Sequence, residues 1–375
     1  MDIFADIFHY AWSFVVILSV IVFIHEFGHY IIAKWCGVKI DVFSIGFGHE
    51  IFGWNDRTGT RWKVSMLPFG GYVKMHGDQG AASTPDNEKI ETMSEEEKRQ
   101  SFHFKPLWQK MAIVAAGPMA NFLLTIAIFT YFVYSSGLSS TAPVVGEIIE
   151  DTPAAEAGLQ AGDRVLSVDG KEVDTFSDIA NAVVTNLGTP VELLIERNDE
   201  NMTVSLTPME WEETDQLGNT IKRPLIGFRS QELTYTDVSF PQAVGEAVGR
   251  TYHLCVTSLE VVGQIVTGNR TASELKGPVG IAHLSGQVTQ SGDTWQQTFR
   301  MILWFIALLS VNLGLINLFP IPLLDGGHLM YYLVEAVQGR PMAQQFQEWG
   351  FRLGFAIIIT LMAFTLYNDI ANFWL

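Results

Sequence analysis

Two histidines and a glutamate occur together in a pattern suited to metal-dependent hydrolysis. His25 and His29 are four residues apart, so on a helix they lie one turn apart on the same face and can bind one Zn²⁺. Glu26 stands next to the first histidine and can act as a general base toward water that the metal activates. The sequence HEFGH therefore predicts zinc-dependent hydrolysis, although five residues are a short pattern that needs support from the rest of the chain.

A hydrolytic zinc ion needs a third protein ligand and keeps a fourth position for water. Asp325 is the candidate, within the run NLFPIPLLDGGH of residues 317–328. Pro320 and Pro322 interrupt any helix before it, and the two glycines after it allow close approach of backbone. Two alternatives stay open here: His328 is a rival ligand, and Asp325 could simply cap the following helix. We expect Asp325 to be the ligand and His328 to pack beside the site.

The segments that must position these residues are strongly apolar. The chain has 375 residues, of which 48% are hydrophobic, and a mean hydropathy of +0.21, which is high for a soluble protein. Four segments reach the roughly 20 mostly apolar residues that a membrane-spanning helix needs, and four buried core helices are the alternative. The predicted spans cover about residues 11–35, 108–134, 298–319 and 354–375.

The HEFGH motif lies inside the first of these apolar segments. Ionisable side chains at such a depth are costly, so their presence indicates function. The alternative is that they mark a helix end at the water interface, where polar side chains reach out of the membrane. We expect a functional site within the membrane.

The composition excludes several classes of protein. With 40 acidic and 23 basic residues the formal net charge is −17, so the chain lacks the basic footprint of a nucleic-acid-binding protein. Cys36 and Cys255 lie in different segments, which rules out a disulfide framework and a CxxC metal site. Residues 1–6 lack the basic region of a signal peptide, so we expect the first apolar segment to remain in the mature protein.

Polar regions separate the apolar segments. Residues 40–75 alternate apolar residues with glycine and predict short strands and hairpins, whereas residues 78–100 are charged and predict a flexible loop. Residues 144–207 mix strand runs and turn signals around a helical segment at 176–185. Residues 241–266 predict an amphipathic helix that leads back to the membrane.

Several motifs in one order closely resemble the site-2 protease family, and within it the RseP-type bacterial branch. Besides HEFGH and the NLFPIPLLDG run, the resemblance includes GPMAN at residues 117–121 and GPVG at residues 277–280. It implies that His25, His29 and Asp325 bind one Zn²⁺ per chain, with Glu26 as the general base.

The resemblance also implies a substrate-binding region. Residues 43–48 and 62–75 would form membrane-associated hairpins, one of which offers an edge strand to a substrate unwound from helix to extended chain. Asn317 would hydrogen-bond the substrate backbone or the developing oxyanion. The other substrate-binding residues that it implies are Pro320 and Pro322, which shape the loop, and Gly46 and Gly48 in the first hairpin.

The soluble module of residues 143–208 resembles a PDZ domain, carried by residues 151–165 and by Val168-Asp169-Gly170. Such a domain could bind a peptide C-terminus beside Val145-Gly146, or it could exclude bulky substrates. Relatives of this branch carry two PDZ modules, but only one can be recognised in this sequence, since residues 211–240 are too few for a second.

Lys and Arg are denser between the first two spans, so the hairpins are expected in the cytoplasm and the PDZ domain outside it.

The predicted fold is a polytopic α-helical membrane protein with four transmembrane helices, membrane-associated β-hairpins and an inserted α+β PDZ domain. We expect it in a bacterial inner membrane, with the PDZ domain on the periplasmic side. The expected division is 1–36 (first transmembrane helix with HExxH), 37–106 (cytoplasmic hairpins and polar loop), 107–136 (second transmembrane helix), 143–208 (PDZ domain), 209–295 (connector with an amphipathic helix), 296–338 (third transmembrane helix, LDG loop and helix) and 352–375 (fourth transmembrane helix).

The function that follows is an intramembrane zinc endopeptidase. It would cleave single-span membrane proteins in the lipid bilayer, such as an anti-sigma factor or a leftover signal peptide, after a first protease has shortened them. A catalytically idle scaffold that binds clients through its PDZ domain is one alternative, and the intact Glu26 argues against it. A metal transporter is another, which the hairpins and the PDZ module disfavour.

Overall fold

The computed structural model describes residues 3–80, 86–185, 189–214, 220–230, 233–268 and 275–374. The chain divides into two compact units, one formed by residues 1–131 and 243–375 and the other by residues 132–242. All the predicted zinc-binding, catalytic and substrate-binding residues belong to the first unit.

The first part of the chain contains two long helices separated by a bent hairpin and two short helices. In chain order these are α1 (Ile3–Trp35), β1 (Ile40–Asn55), β2 (Arg61–Met75), α2 (Asn87–Thr92), α3 (Glu95–Gln100) and α4 (Leu107–Ser136).

The second unit follows and is mainly β-structure. Its elements are β3 (Leu138–Thr141), β4 (Glu147–Ile148), α5 (Pro153–Glu156), β5 (Arg164–Val168), β6 (Lys171–Glu172), α6 (Phe176–Thr185), β7 (Val191–Arg197), β8 (Glu200–Leu206), β9 (Met209–Thr214), β10 (Thr220–Leu225), β11 (Phe228–Arg229) and β12 (Leu233–Thr236).

The described remainder of the chain is helical. Its helices are α7 (Phe240–Val266), α8 (Pro278–Gln290), α9 (Trp295–Leu318), α10 (Asp325–Gln338) and α11 (Gln344–Trp374).

Among the described residues, four helices are long and apolar enough to cross a membrane. They are α1, α4, α9 and α11, whose most apolar stretches have mean hydropathies of 2.3, 2.0, 2.1 and 1.7. α1 and α4 contain the first two predicted spans and extend beyond them. α9 begins three residues before the third predicted span and ends one residue short of it, at Leu318. The predicted end of the last span at Leu375 lies outside the described residues. α11 begins at Gln344, about ten residues before the predicted span, because Gln, Glu and Arg favour a helix without adding hydropathy.

The β1–β2 hairpin is bent so that its strands pair more than once. The first half of β1, residues 40–45, pairs with residues 71–75 of β2 and also with residues 61–64. The second half, residues 50–55, pairs with residues 61–65. Within the described residues, the segment 71–75 therefore has a strand partner on one side only and forms an edge of this sheet.

The polar segment after β2 is more ordered than the sequence analysis predicts. Of the predicted flexible loop at 78–100, residues 81–85 lie outside the described residues, but α2 and α3 occupy much of the rest. Ser94 and Glu97 form a capping box, in which the Ser94 hydroxyl accepts from the Glu97 N–H at 3.3 Å and the Glu97 carboxylate accepts from the Ser94 N–H at 2.8 Å. A capping box satisfies two free N–H groups and starts a helix, so the prediction of a loop is wrong for α3.

The second unit has a four-stranded antiparallel sheet in the order β6-β5-β7-β8. The last two strands of the unit pair with its first two strands in separate two-stranded sheets: β11 pairs with β4, and β12 pairs with β3. The core includes Val165, Leu193 and Ile195 from the sheet and Phe228 from β11. The compact unit at residues 132–242 is thus wider than the predicted module at 143–208, because strands that follow residue 208 complete it.

Candidate metal centre

The two histidines and the aspartate predicted from sequence lie side by side in the first unit. His25 and His29 are buried on one face of α1, and Asp325 is the first residue of α10. The Asp325 Oδ2 atom is 3.2 Å from His25 Nε2 and 3.5 Å from His29 Nε2, and the two Nε2 atoms are 3.3 Å apart. Three potential ligand atoms thus form a nearly equilateral triangle.

This triangle fits a tetrahedral zinc ion. With zinc–ligand bonds of about 2.0–2.1 Å, the ligand atoms of a tetrahedral site lie about 3.3 Å apart. The buried Oδ2 atom of Asp325 has no hydrogen-bond donor among the described residues, despite the two nearby nitrogens. The lone pairs of the two Nε2 atoms and of Oδ2 can all point toward the centre of the triangle, where a bound cation would stabilise them. The donor set therefore fits Zn²⁺. No other group of three such ligands occurs within the described ranges.

A tight loop between α9 and α10 brings Asp325 to the histidines. α9 ends at Leu318, and Leu323 in the loop has a positive φ of 92°, a strained conformation for a leucine. A Cβ on Gly326 would stand 2.3 Å from the Leu318 carbonyl oxygen, and one on Gly327 would stand 2.4 Å from that of Ile321. Both positions require glycine, because the backbone folds back on itself here. Asp325 enters α10 directly after Leu324, whose side chain makes no capping hydrogen bond.

One face of α4 supports the two imidazoles. The His29 Nδ1 atom is 2.8 Å from the Ile113 carbonyl oxygen, and His25 Nδ1 is 3.2 Å from Asn121 Nδ2. Between these contacts, a Cβ on Gly117 would stand 2.3 Å from His29 Nε2 and 2.9 Å from His25 Cε1. Residues 113, 117 and 121 are four apart in sequence and therefore lie on one face of α4. Ile113 provides a hydrogen-bond acceptor, Gly117 leaves space for the rings, and Asn121 provides a carboxamide.

Glu26 faces the same space as the cluster. It lines a cavity of about 440 Å³ together with His25, His29 and Asp325. A Cβ on Gly71 of β2 would stand 3.1 Å from Glu26 Cγ, so the hairpin packs closely on this side chain. The rest of the lining comes from α1, the hairpin, the segment between α3 and α4, α4, α9, the α9–α10 loop and α10: Val22, Phe47, Gly70, Tyr72, Val73, Met75, Phe102, Val114, Leu313, Asn317, Leu323, Leu324, His328 and Tyr332.

The other predicted residues occupy different places. Asn317 lines the cavity, and its Nδ2 atom is 3.4 Å from His25 Nε2. His328, the rival ligand, also lines the cavity but is not in the ligand cluster. Pro320 and Pro322 lie in the α9–α10 loop and are not part of the lining.

Gly46 and Gly48 lie within β1 rather than at the cavity. Both have a positive φ, of 86° and 89°, and a Cβ on Gly46 would stand 2.7 Å from the Leu67 carbonyl oxygen. These glycines therefore let the strand bend and approach β2 closely. The hairpin residues that reach the cavity are Phe47, residues 70–73 and Met75.

Comparison with known proteins identifies the family. Residues 13–361 match peptidase family M50. The chain belongs to peptidase family M50. A relative in Agrobacterium fabrum, provisionally named a zinc metalloprotease, is 41% identical over 367 residues, which cover 97% of this chain and 96% of the relative. Metalloprotease MmpA of Caulobacter vibrioides is 37% identical over 378 residues, which cover 96% of this chain and 95% of MmpA.

The M50 match and these relatives confirm the predicted membership in the site-2 protease family. They also confirm that this M50 member is a zinc metalloprotease. When bound at the His25–His29–Asp325 cluster, zinc would supply Lewis-acid polarisation of a carbonyl and a lowered pKa for water.

Solved PDZ domains show a weak likeness to part of the chain. The PDZ domain of an SdrC-like protein from Listeria monocytogenes is 22% identical and matches 24% of this chain and 88% of its own, with a TM-score of 0.20. The corresponding domain from Listeria innocua is also 22% identical and matches 25% of this chain and 99% of its own, again with a TM-score of 0.20. The PDZ fold of the second unit stays a prediction.

Sequence reasoning missed the contacts that α4 makes with the histidines. The Ile113 acceptor is a backbone carbonyl, which no residue type signals. Gly117 and Asn121 stand in the GPMAN motif, where their spacing of four could have indicated a shared helix face.

Proposed function

We propose that this zinc metalloprotease hydrolyses peptide bonds within the membrane, in single-span membrane proteins. The observation that carries the proposal is the placement of the His25–His29–Asp325 cluster and Glu26. α1, which carries three of these residues, and α9, which leads into the Asp325 loop, are each apolar enough to span a bilayer. Ionisable groups there are costly unless they serve a function, and a membrane-embedded substrate explains the location.

Glu26 is the general base in this proposal. It lines the cavity next to the ligand cluster, so water beside the cluster lies within its reach. Glu26 takes one proton from that water as the water oxygen bonds to the peptide carbon. It then delivers the proton to the peptide nitrogen as the carbon–nitrogen bond breaks. The second proton of the water leaves the new carboxyl group and protonates the amine, so the products are a carboxylate and an ammonium group.

Asn317 stabilises the oxygen of the scissile carbonyl. Its Nδ2 group stands at the cluster, 3.4 Å from His25 Nε2. When the His25 lone pair is directed at zinc, this N–H group has no acceptor there and is free to donate to the substrate. A preorganised donor at a developing oxyanion lowers the barrier by about 3 kcal/mol.

Substrate binds in extended form along the edge of the hairpin. Residues 71–75 have strand partners on one side only, and residues 70–73 line the cavity that holds Glu26. A helical substrate segment hides its carbonyl groups, so it must unwind before cleavage, and pairing with a free strand edge satisfies the exposed backbone groups. Gly46 and Gly48 then contribute by bending β1, and Pro320 and Pro322 by shaping the loop that holds Asp325.

The physiological role that we infer is regulated proteolysis in a bacterial inner membrane. Substrates are single-span proteins of the anti-sigma-factor type, cut after a first protease has shortened them. The second unit, as a periplasmic PDZ domain, binds a new peptide C-terminus or excludes substrates whose outer domains are intact. One zinc ion per chain serves the reaction.

Cleavage by the purified protein tests this function. The zinc-loaded wild type, Glu26→Gln and the exposed control Glu91→Gln are incubated in detergent with a single-span model substrate, and products are sized by mass spectrometry. We expect wild type and Glu91→Gln to cut inside the apolar segment and Glu26→Gln to be at least about 100-fold slower. Equal cleavage by Glu26→Gln would refute the role of Glu26. Binding of substrate without cleavage by any variant would favour a scaffold.

A further inference from the structure

The two histidines of the cluster have different partners at their second ring nitrogen. His29 Nδ1 lies 2.8 Å from the Ile113 carbonyl oxygen, which can only accept a hydrogen bond. Nδ1 of His29 must therefore carry the proton, and its Nε2 atom presents a lone pair to the cluster. Backbone geometry alone settles this tautomer.

His25 has no such fixed partner. Its Nδ1 atom lies 3.2 Å from the carboxamide of Asn121, which can donate through Nδ2 or accept through Oδ1. If Nδ2 donates, Nδ1 must be unprotonated and the ring proton sits on Nε2, pointing into the ligand cluster. If Oδ1 accepts, the proton sits on Nδ1 and Nε2 is free to bind a metal. The orientation of this one carboxamide decides which tautomer His25 adopts.

With Nδ2 toward His25, the Asn121 Oδ1 atom is buried and has no hydrogen-bond partner among the described residues. A buried carbonyl oxygen without a donor is destabilising, because it has given up its hydrogen bonds to water and gained none in the protein. A half-turn of the carboxamide exchanges Oδ1 and Nδ2 and places the acceptor against His25 Nδ1. This orientation also leaves Nε2 unprotonated beside the Asp325 carboxylate, as a metal site requires.

We propose that Asn121 is a positioning residue that fixes the metal-binding tautomer of His25 by accepting a hydrogen bond from Nδ1–H. This inference rests on the proposed role of His25 as a zinc ligand. Partners of this kind orient a ligand imidazole and raise its basicity, and their loss weakens metal binding about 10- to 100-fold.

The surroundings of Asn121 hold its backbone in place for this role. Asn121 is fully buried on α4, and its carbonyl oxygen accepts from the Ser310 hydroxyl of α9 at 3.0 Å. Thr125, one turn further along α4, donates to the Ala307 carbonyl at 3.0 Å. These bonds join α4 to α9 without touching either histidine, so Thr125 offers a control for loss of a buried polar contact on the same helix.

Zinc affinity of full-length variants tests the proposal. Asn121→Leu removes the acceptor at similar volume, Asn121→Asp keeps an acceptor but cannot donate, and Thr125→Val is the control. Affinity is measured in detergent by competition with a chromogenic chelator, together with the melting temperature of the metal-free protein. We expect Asn121→Leu to bind zinc about 10- to 100-fold more weakly, with a metal-free melting temperature close to that of Thr125→Val. Asn121→Asp should bind zinc at least as tightly as wild type.

Two results would overturn the proposal. One is wild-type zinc affinity in Asn121→Leu, and the other is an Asn121→Asp variant that binds zinc as weakly as Asn121→Leu. If Asn121→Leu fails to fold, Asn121→Asp alone decides, because a donor role predicts loss and an acceptor role predicts retention. His25→Ala separates this proposal from the proposed function: if that variant keeps its zinc, the ligand assignment itself is wrong.

Discussion

Gly117 of α4 lies directly against the imidazole of His29 on α1. A Cβ at position 117 would stand 2.3 Å from His29 Nε2, the atom that faces Asp325. On the opposite side, a Cβ on Gly28 would stand 2.3 Å from the Ala116 carbonyl oxygen. The two helices therefore touch through glycines, and this contact leaves just enough room for the histidines that form the cluster.

Substitution of Gly117 by alanine should disrupt the metal centre. The added methyl group cannot fit beside the ring, so His29 must move away from Asp325, and displacement by about 1 Å costs about 100-fold in rate. We expect Gly117→Ala to lose most of its zinc and at least about 99% of its cleavage activity. Gly249→Ala on α7 is the matched control, since a Cβ there meets no atom within 4 Å. Full zinc content and activity in Gly117→Ala would contradict the packing described.

Gly71 provides a similar test for the general base. Its Cβ would stand 2.7 Å from the Ser44 carbonyl oxygen, 2.9 Å from Val22 Cγ1 and 3.1 Å from Glu26 Cγ. Gly71→Ala should keep its zinc, because no ligand is touched, but kcat should fall at least about 10-fold as Glu26 and the strand edge shift. Metal analysis beside cleavage kinetics measures both, and Gly80→Ala, which meets no atom within 4 Å, serves as the control. Unchanged kcat would show that the hairpin does not position Glu26.

Asn317 should affect the transition state more than substrate binding. Asn317→Ala removes the proposed oxyanion donor, so kcat should fall about 100- to 1,000-fold while KM changes only a few-fold. Asn317→Asp should be equally impaired, because a carboxylate accepts hydrogen bonds and cannot donate one. Steady-state kinetics at saturating zinc distinguishes the two parameters. A large rise in KM with unchanged kcat would assign Asn317 to ground-state binding instead.

The second unit contains an ion pair between the buried Asp163 and the partly exposed Arg197, and this pair predicts the pH dependence of the unit's stability. Asp163 is 1% exposed and accepts from Arg197 Nε at 2.7 Å and Nη2 at 2.6 Å. Burial by itself raises the pKa of Asp163, but the guanidinium of Arg197 and the N–H of Gln160 hold the pKa below its usual range. Because the native pKa lies below the unfolded value of about 3.9, the stabilisation is complete above that pH and is lost as the pH falls through the native pKa.

Arg197→Ala should therefore destabilise the second unit at neutral pH, because it leaves the buried Asp163 carboxylate without its cationic partner. Hydrogen exchange at the Val165 and Ile195 amides in the full-length protein reports the change, after correction for intrinsic rates. The difference from wild type should shrink below about pH 4. The exposed Arg164→Ala is the control, and a difference that does not vary with pH would exclude the ion pair as its source.

Much of the candidate site could be predicted from the sequence, because the features that indicate it depend on residues close together along the chain. Spacing of four places His25 and His29 on one helix face, and two prolines followed by Asp-Gly-Gly indicate an interrupted helix with a functional carboxylate. These features depend on helix geometry and proline sterics, which act over a few residues. They do not reveal distance in space, so they make Asp325 a candidate ligand, whereas its approach to within 3.2 Å of His25 is visible only in the structure.

The remaining features depend on tertiary packing or on details that hydropathy ignores. The Ile113 carbonyl contacts His29, and Gly117 leaves room for the two imidazoles, only because α4 lies against α1. The strand edge at residues 71–75 results from the bend at Gly46 and Gly48, whose positive φ angles are invisible in a list of residues. The wider second unit results from pairing between strands about 80 residues apart. α3 is a different case, because the Ser94-x-x-Glu97 pattern of its capping box is present in the sequence and could have predicted the helix.

We infer that Asp325, although about 300 residues away along the chain, completes a zinc site with His25 and His29. Zinc content by mass spectrometry of purified Asp325→Ala, beside wild type and His328→Ala, tests it most directly. We expect close to one zinc per chain in wild type and in His328→Ala, because the His328 ring lines the cavity outside the ligand cluster, and little or no zinc in Asp325→Ala. A full complement of zinc in Asp325→Ala, or its loss in His328→Ala alone, would contradict it.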